Sequence, residues 1–442
     1  MTIEAPPRPR LGLLAQRDFR LLWTGETTSN FGTAIGEVAL QLVALTVLHA
    51  SVLWISALTA VAWLPWLVIG LPAGAWVDRL ARRRVMMAAD LASLAAFASV
   101  PVAAALGVLS IVQLLIVAMV AGTATVFFSA AYRAFMPTLL GRESLLEGNA
   151  KLQGSQQVAN VAGPGMAGII AQAASPVLGV LADAISFAVS AGCLWRLRVA
   201  EPPQASARQP LRTAIGEGLA VFAREPLLRW NTVSGCLTNF VLTGYGSISV
   251  VYLVSVAGLR PGVAGQTLAV ASLGGMLGAL AARALAARLG SGRAVLLAPA
   301  GTGPGRPADP ARRPRAWPRP VRARERHSQL RSGCWQHHLQ GFIQAHFPRE
   351  ILGRVSTSAQ FFNYAMIPAG AVAAGVMASH LGVRPALWIM AAVLVVSCGA
   401  LLLGPLRSAR DLPVTAADLS WPRSLRRCHH LAPGRRRCGW RA

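Results

Sequence analysis

Lysine is nearly absent from this chain of 442 residues, and acidic residues are scarce, 17 against 42 basic ones. Charged residues make up 13% of the sequence, where a soluble domain carries roughly a quarter. That shortage excludes an ordinary soluble globular protein. The six cysteines, Cys193, Cys236, Cys334, Cys398, Cys428 and Cys438, show no framework spacing and exclude a disulfide scaffold. Two of them fall inside apolar blocks and one near a block's end, where a cysteine serves as a small hydrophobe. No nucleophile–base pair, metal set or phosphate-binding loop is present, so an enzyme is not expected, and neither is a cofactor or a resident metal. No secretory signal with a cleavage site opens the chain, and the first apolar block is expected to remain as an anchor.

What is abundant is apolar sequence, 54% of residues, in blocks long enough to cross a bilayer core, which takes about 20 residues. Six blocks lie near 22–48, 55–77, 85–107, 110–132, 152–174 and 177–196. Four more lie near 231–257, 264–287, 361–382 and 384–404. The chain is therefore read as an all-α polytopic membrane protein. Its net charge of +25 sits in alternate loops: Arg17 and Arg20, then Arg79 and Arg82 to Arg84, Arg133 and Arg142, Arg196 and Arg198, and Arg283, Arg288 and Arg293. The loops between them, such as 49–53 and 172–176, carry almost none. This is a positive-inside pattern, and it places both termini in the cytoplasm of a multi-pass protein of the cell membrane. A nucleic-acid partner is not expected, because no basic face with interleaved aromatics exists in the body of the chain.

The segment FMPTLLGRE at 135–143 repeats as FPREILGRV at 347–355, and LPAGAWVDRLARRR at 71–84 has a weaker counterpart at 277–290. Two like halves around a central cavity are a common plan for secondary transporters. The plan demands twelve spans in two six-helix halves, two of them between about 294 and 345. The expected organisation is a six-helix half over 1–196, a cytoplasmic loop over 197–230 and helices seven and eight over 231–300. An aberrant segment over 301–339 follows, then helices eleven and twelve over 340–413 and a basic tail over 414–442.

The segment from Gly74 to Arg84 resembles the loop motif between the second and third helices of the major facilitator superfamily, G-x-x-x-D-R-x-x-R-R. Residues 17–40, 161–168, 181–191 and 217–229 look like its drug:proton antiporter branch, which includes macrolide-efflux and siderophore (enterobactin) exporters. The resemblance covers roughly 17–295 and 340–413. It implies a monomeric alternating-access carrier in membrane lipid, exporting an amphiphilic small molecule, an antibiotic or siderophore, against protons. It implies a gating charge network from Asp78, Arg79, Arg82, Arg83 and Asp90, with Gly74 allowing close helix approach. Arg82 to Arg84 also have a purely topological reading. Gly163, Pro164 and Gly168 resemble the antiporter motif of the fifth helix, and equally suit an ordinary kink.

Carboxylates inside apolar blocks are costly enough to need a reason. Glu37, deepest in its block, is the leading proton-coupling residue, and Asp183 is a second candidate that equally suits a hydrogen-bonding role. Asp90 fits either coupling or the charge network. Gln153, Asn160 and Asn239 are candidates for the substrate cavity, or for glue between helices. The fourth span lacks the mid-helix arginine of many proton-coupled exporters. Import of a similar solute, or a non-transporting protein whose basic loop binds a partner, are the rival readings.

Residues 301–326 break the pattern. From Pro299 to Arg326 all but five residues are Ala, Gly, Pro or Arg, whose codons begin with two G/C bases. Each Arg at mid-bilayer costs about 2.5–3.5 kcal/mol, so this is no membrane span. Shifting the codons of Gly333 to His338 forward by one base gives small, apolar and Asn/Ser-Ile/Thr residues suited to a tenth helix. Two compensating frameshifts, near 299–302 and 338–340, explain how helices nine and ten were lost. In the tail, Cys428, His429, His430 and Cys438 make a poor tetrahedral set for zinc. Resequencing the gene across the codons for Val295 to Gln344 is expected to show extra or missing bases whose correction restores two apolar spans. An unchanged reading would make the Arg/Pro segment genuine polypeptide.

Overall fold

The computed structural model describes residues 12–77, 79–141, 144–199, 226–289 and 349–402. All regular structure among them is helical. The helices are α1 (Arg17–Leu42), α2 (Val52–Val68), α3 (Gly70–Val77), α4 (Arg82–Ala105), α5 (Ile111–Leu139), α6 (Leu145–Ala173) and α7 (Pro176–Arg196). They continue with α8 (Pro226–Val251), α9 (Pro261–Leu289), α10 (Arg349–Leu381) and α11 (Val383–Leu402). Each of the ten apolar blocks coincides with one helix, except that the second is split at Ile69 into α2 and α3. The expected ninth and tenth spans, the aberrant segment, the central loop over 200–225 and the tail lie outside the described residues.

A bilayer offers no water to backbone N–H and C=O groups, so a helix is how each block satisfies them. In the N-terminal half the turns at the arginine-poor end are short and close on a serine that precedes the next helix, Ser51, Ser110 or Ser175. Ser110 accepts from the Gln113 N–H at 3.3 Å, and Ser175 accepts from Val177 at 3.2 Å ahead of Pro176. The outward faces carry Leu91, Val102, Val112, Ile116, Ile169, Ile185 and Val189 exposed, as lipid-facing surfaces should be.

Two details reveal the internal repeat better than the residues do. α1 ends in a π-helical turn, Val43–Val47, and α8 in another, Tyr252–Val256. In the first, Leu48 N donates to Val43 O at 3.1 Å and Ala50 N to Ala44 O at 2.9 Å. In the second, Ala257 N donates to Tyr252 O at 2.8 Å and Leu259 N to Leu253 O at 3.0 Å. Both chains then turn through a left-handed residue, His49 at φ 50° and Gly258 at φ 66°. The next helices start at Val52 and Pro261, so each pair of counterparts is 209 positions apart.

Within the N-terminal half α1 packs on α6 and α7, α4 on α5 and α7, and α2 on α5. In the C-terminal half α8 packs on α10 and α11. The halves meet along two seams, α2 with α10 and α6 with α9. These seams are the same contact seen twice, since a two-fold exchange of the halves carries the second span onto the eighth and the eleventh onto the fifth.

The close approach expected at Gly74 is not made there. Gly74 is exposed, and a Cβ on it would meet nothing within 4 Å. The tight crossing of this region is at Gly122 of α5, where a Cβ would lie 3.0 Å from the Ala62 carbonyl carbon of α2. Gly122→Val should therefore destabilise the protein by about 1–3 kcal/mol through overpacking. Gly74→Val should leave thermal unfolding in detergent unchanged, and equal losses would refute this placement.

Candidate functional site

The arginines of the loop motif act first on helix ends. Arg82 opens α4 and donates to Ala134 O at 2.9 Å and to Thr138 Oγ1 at 3.4 Å, in the last turns of α5. Arg83 donates through Nε to Leu194 O at 2.8 Å and through its guanidinium to Trp195 O, at the end of α7. Carbonyls at a helix C-terminus lack intrahelical donors and carry the negative end of the dipole, so a cation there satisfies both. At the same end of the bundle, Arg17 donates to Arg196 O at 3.4 Å and pairs with Asp18 at 3.7 Å. Arg79 is exposed, and Asp78 lies outside the described residues.

Asp90 sits two turns into α4 and is 2% exposed. Its neighbours are Ser190 of α7 and Glu26 of α1, and Tyr132 of α5 lies near Glu26. Glu26 is a carboxylate that sequence reasoning missed. It lies in the polar run TGETTSN near the start of the first apolar block, nine residues into α1 from Arg17. One oxygen each of Glu26 and Asp90 is buried with no hydrogen-bond partner among the described residues.

The second carboxylate pair lies further along α1. Asp183 of α7 is fully buried, and the Ser186 hydroxyl donates to its backbone carbonyl at 2.7 Å and approaches its Oδ1 at 3.3 Å. Gly32 and Gly36 make room for it, because a Cβ on either would run into Asp183 or Ser186. Glu37 is near enough to repel a charge on Asp183. Glu37 is exposed, next in sequence to Gly36, which packs against Asp183.

Gly163, Pro164 and Gly168 divide their work. Gly163 packs on Ala34 of α1, whose backbone a Cβ would approach to 2.9 Å. Pro164 and Gly168 meet Gly265 of α9 across the seam, where a Cβ on Gly265 would lie 2.8 Å from Gly168 Cα. Gly262 N donates to Gln172 Oε1 at 3.1 Å beside it. The other seam repeats this crossing with Gly375 of α10 against the Ser56 hydroxyl of α2. Both crossings lie near the arginine-poor end of the bundle.

Of the cavity candidates, Gln153 and Asn160 are exposed on α6 and are joined by exposed Gln157, a stripe at helical spacing. Asn239 of α8 instead donates to Asn363 Oδ1 at 3.1 Å, a bond between helices of one half. Trp63 and Trp66 of α2 face Tyr364 of α10 across the seam, with ring centroids 5.6 and 4.9 Å away.

A helical bundle of two like halves, crossing at glycines and carrying carboxylates within, is the architecture of a secondary transporter. The chain matches the transmembrane secretion effector family over residues 10–428 and belongs to it, a branch of the major facilitator superfamily. It is 32% identical over 245 residues to the multidrug efflux pump Tap of Mycolicibacterium fortuitum, covering 53% of this chain and 59% of that one. It is 28% identical over 178 residues to macrolide efflux protein A of Streptococcus pyogenes, covering 39% and 44%. These matches span less than two thirds of either relative. Among solved structures, a bacterial homologue of the iron transporter ferroportin in the inward-facing state superposes with TM-score 0.68 at 15% identity, covering 88% of this chain and 98% of that one. The nucleoside transporter NupG (D323A mutant) does so with TM-score 0.67 at 11% identity, covering 88% and 99%. These likenesses establish the fold. The chain is thus a multi-pass membrane protein and not an enzyme.

Arg83→Ala removes the donors to the end of α7 and should lower stability by about 1–2 kcal/mol. Thermal unfolding in detergent measures this, and an unchanged midpoint would show that Arg83 does not brace α7.

Proposed function

We propose that the protein exports an amphiphilic small molecule by alternating access, as a monomer in the cell membrane, using the proton gradient. The observation that carries this reading is the pair of small-residue crossings at one end of the two seams, Ser56 with Gly375 and Gly168 with Gly265. Rocking about such seams exposes the interior to one side and then the other, as repeat-built carriers do. With the arginine-rich loops cytoplasmic, seams closed at the opposite end correspond to a state shut toward the outside. The names of the efflux relatives favour export over import.

Glu37 is the proposed proton site. It opens to the interior while Asp183 behind it is sealed, so Glu37 meets water as access alternates and Asp183 tunes its charge. Arg82 and Arg83, with Asp78, Arg79 and Asp90, are proposed to steady one access state from the cytoplasmic end. Gln153 and Asn160 are proposed to line the solute path, and Asn239 to hold α8 against α10. The composition of 301–339 favours a second reading, a non-transporting product of a damaged gene.

Everted vesicles driven by an imposed pH gradient test the first. Glu37→Gln should abolish the gradient-driven component of uptake while solute binding to the purified protein persists. Undiminished gradient-driven uptake by that variant would remove Glu37 from the coupling.

A further inference from the structure

The two seams are alike where they cross and unlike deeper in. Ser56 and Gly265 are 209 positions apart, the offset of the repeat, Gly375 and Gly168 are the residues that meet them at the two crossings, and all four are small. Trp63 and Trp66 lie 7 and 10 residues beyond Ser56 along α2, which is about 10–15 Å deeper at the helical rise. Tyr364 lies 11 residues from Gly375 on α10, about 16 Å by the same measure. The matching positions on the other seam are Ser272 and Gly275 on α9 and Gln157 on α6. The two seams therefore differ in chemistry about 10–16 Å in from the crossings.

The aromatic rings are also not packed away. Trp63, Trp66 and Tyr364 are each only half-buried, with the two tryptophans 6.2 Å apart and tilted by 30°. On the opposite seam Gln153, Gln157 and Asn160 are exposed, a polar stripe that would be costly against lipid. The exposed apolar residues of α6, Val158, Met166 and Ile169, supply its lipid face instead. One wall thus offers π surfaces and the facing wall offers amide donors and acceptors.

We propose that the Trp63–Trp66–Tyr364 wall receives the ring system of a planar aromatic solute, and that the Gln153–Gln157–Asn160 stripe takes its polar edge. This rests on the reading of the space between the halves as the solute path. Offset and edge-on stacking rewards flat conjugated rings and gives little to a puckered macrocycle. The wall spans both halves, so a ring bound there is sensed by α2 and α10 together as they rock.

Ethidium, flat and cationic, and erythromycin, cationic and not flat, separate ring shape from charge. Binding of each to the purified full chain in nanodiscs is followed by fluorescence polarisation for ethidium and by radiolabel for erythromycin. Ethidium is expected to bind more tightly than erythromycin. The double variant Trp63→Leu with Trp66→Leu should weaken ethidium about tenfold or more. Trp63→Phe with Trp66→Phe keeps the rings and should restore most of that loss. Trp76→Leu, which removes a stacked pair with Phe127 away from the seam, should change nothing. The proposal is overturned if wild type does not bind ethidium or binds erythromycin as tightly. It also fails if the double leucine variant retains affinity, or if phenylalanine fails to restore it. Everted vesicles loaded the same way keep the two readings apart. Ring-dependent binding without uptake sinks the exporter reading alone, and uptake of erythromycin that ignores Trp63 and Trp66 sinks this one alone.

Discussion

Two backbones in contact through glycine hold this protein's halves together, and most else follows from that. In a bilayer, apolar helices gain nothing by leaving lipid for one another, so association depends on van der Waals contact at short range. Gly168 against Gly265 supplies it on one seam, and Gly375 against Ser56 on the other. A Cβ on Gly168 or Gly265 would run into the facing backbone, and one on Gly375 into the Ser56 side chain. A contact made of backbone and one hydroxyl is also one that can separate without stranding a buried charge.

Charge is arranged to leave those seams free. At the arginine-rich end, Arg82 and Arg83 spend their donors on helix-terminal carbonyls within the N-terminal half. They tie the ends of α5 and α7 to the start of α4 and so hold that half together as a body. The interior carboxylates are treated differently. Glu26, Asp90 and Asp183 each keep an oxygen without a hydrogen-bond partner among the described residues. Such groups tend to mark ion or proton paths in membrane proteins, because nothing in packing explains their cost.

The fold was readable because bilayer crossing demands length and apolarity together, and ten blocks display both. The second block's split at Ile69 was passed over because apolarity runs across it, although Pro65, Gly70 and Pro72 flank the break. The repeat was only half readable. Loop identities around 135–143 and 347–355 betrayed it, yet the paired π-turns at Val43–Val47 and Tyr252–Val256 share hardly a residue. Backbone geometry there is set by the turn that follows, through His49 in one half and Gly258 in the other. Within the site, Glu37 and Asp183 stood out as charges in apolar runs, whereas Glu26 hid among threonines, serine and asparagine. Gly74 was singled out by its place in a loop motif, whereas the close approach falls at Gly122, a glycine that no motif marks.

Symmetry gives the remaining leverage on function. A carrier built by duplication begins with two equivalent seams, and packing alone gives no reason to make them differ. Where they remain equivalent, at the glycine crossings, both are bound by the same mechanical task. Where they diverge, Trp63, Trp66 and Tyr364 stand against Ser272, Gly275 and Gln157, so the two seams present different chemistry to whatever lies between them. The bilayer treats both seams alike, so lipid contact does not call for that difference. The proposed solute, with one flat apolar face and one polar edge, matches it.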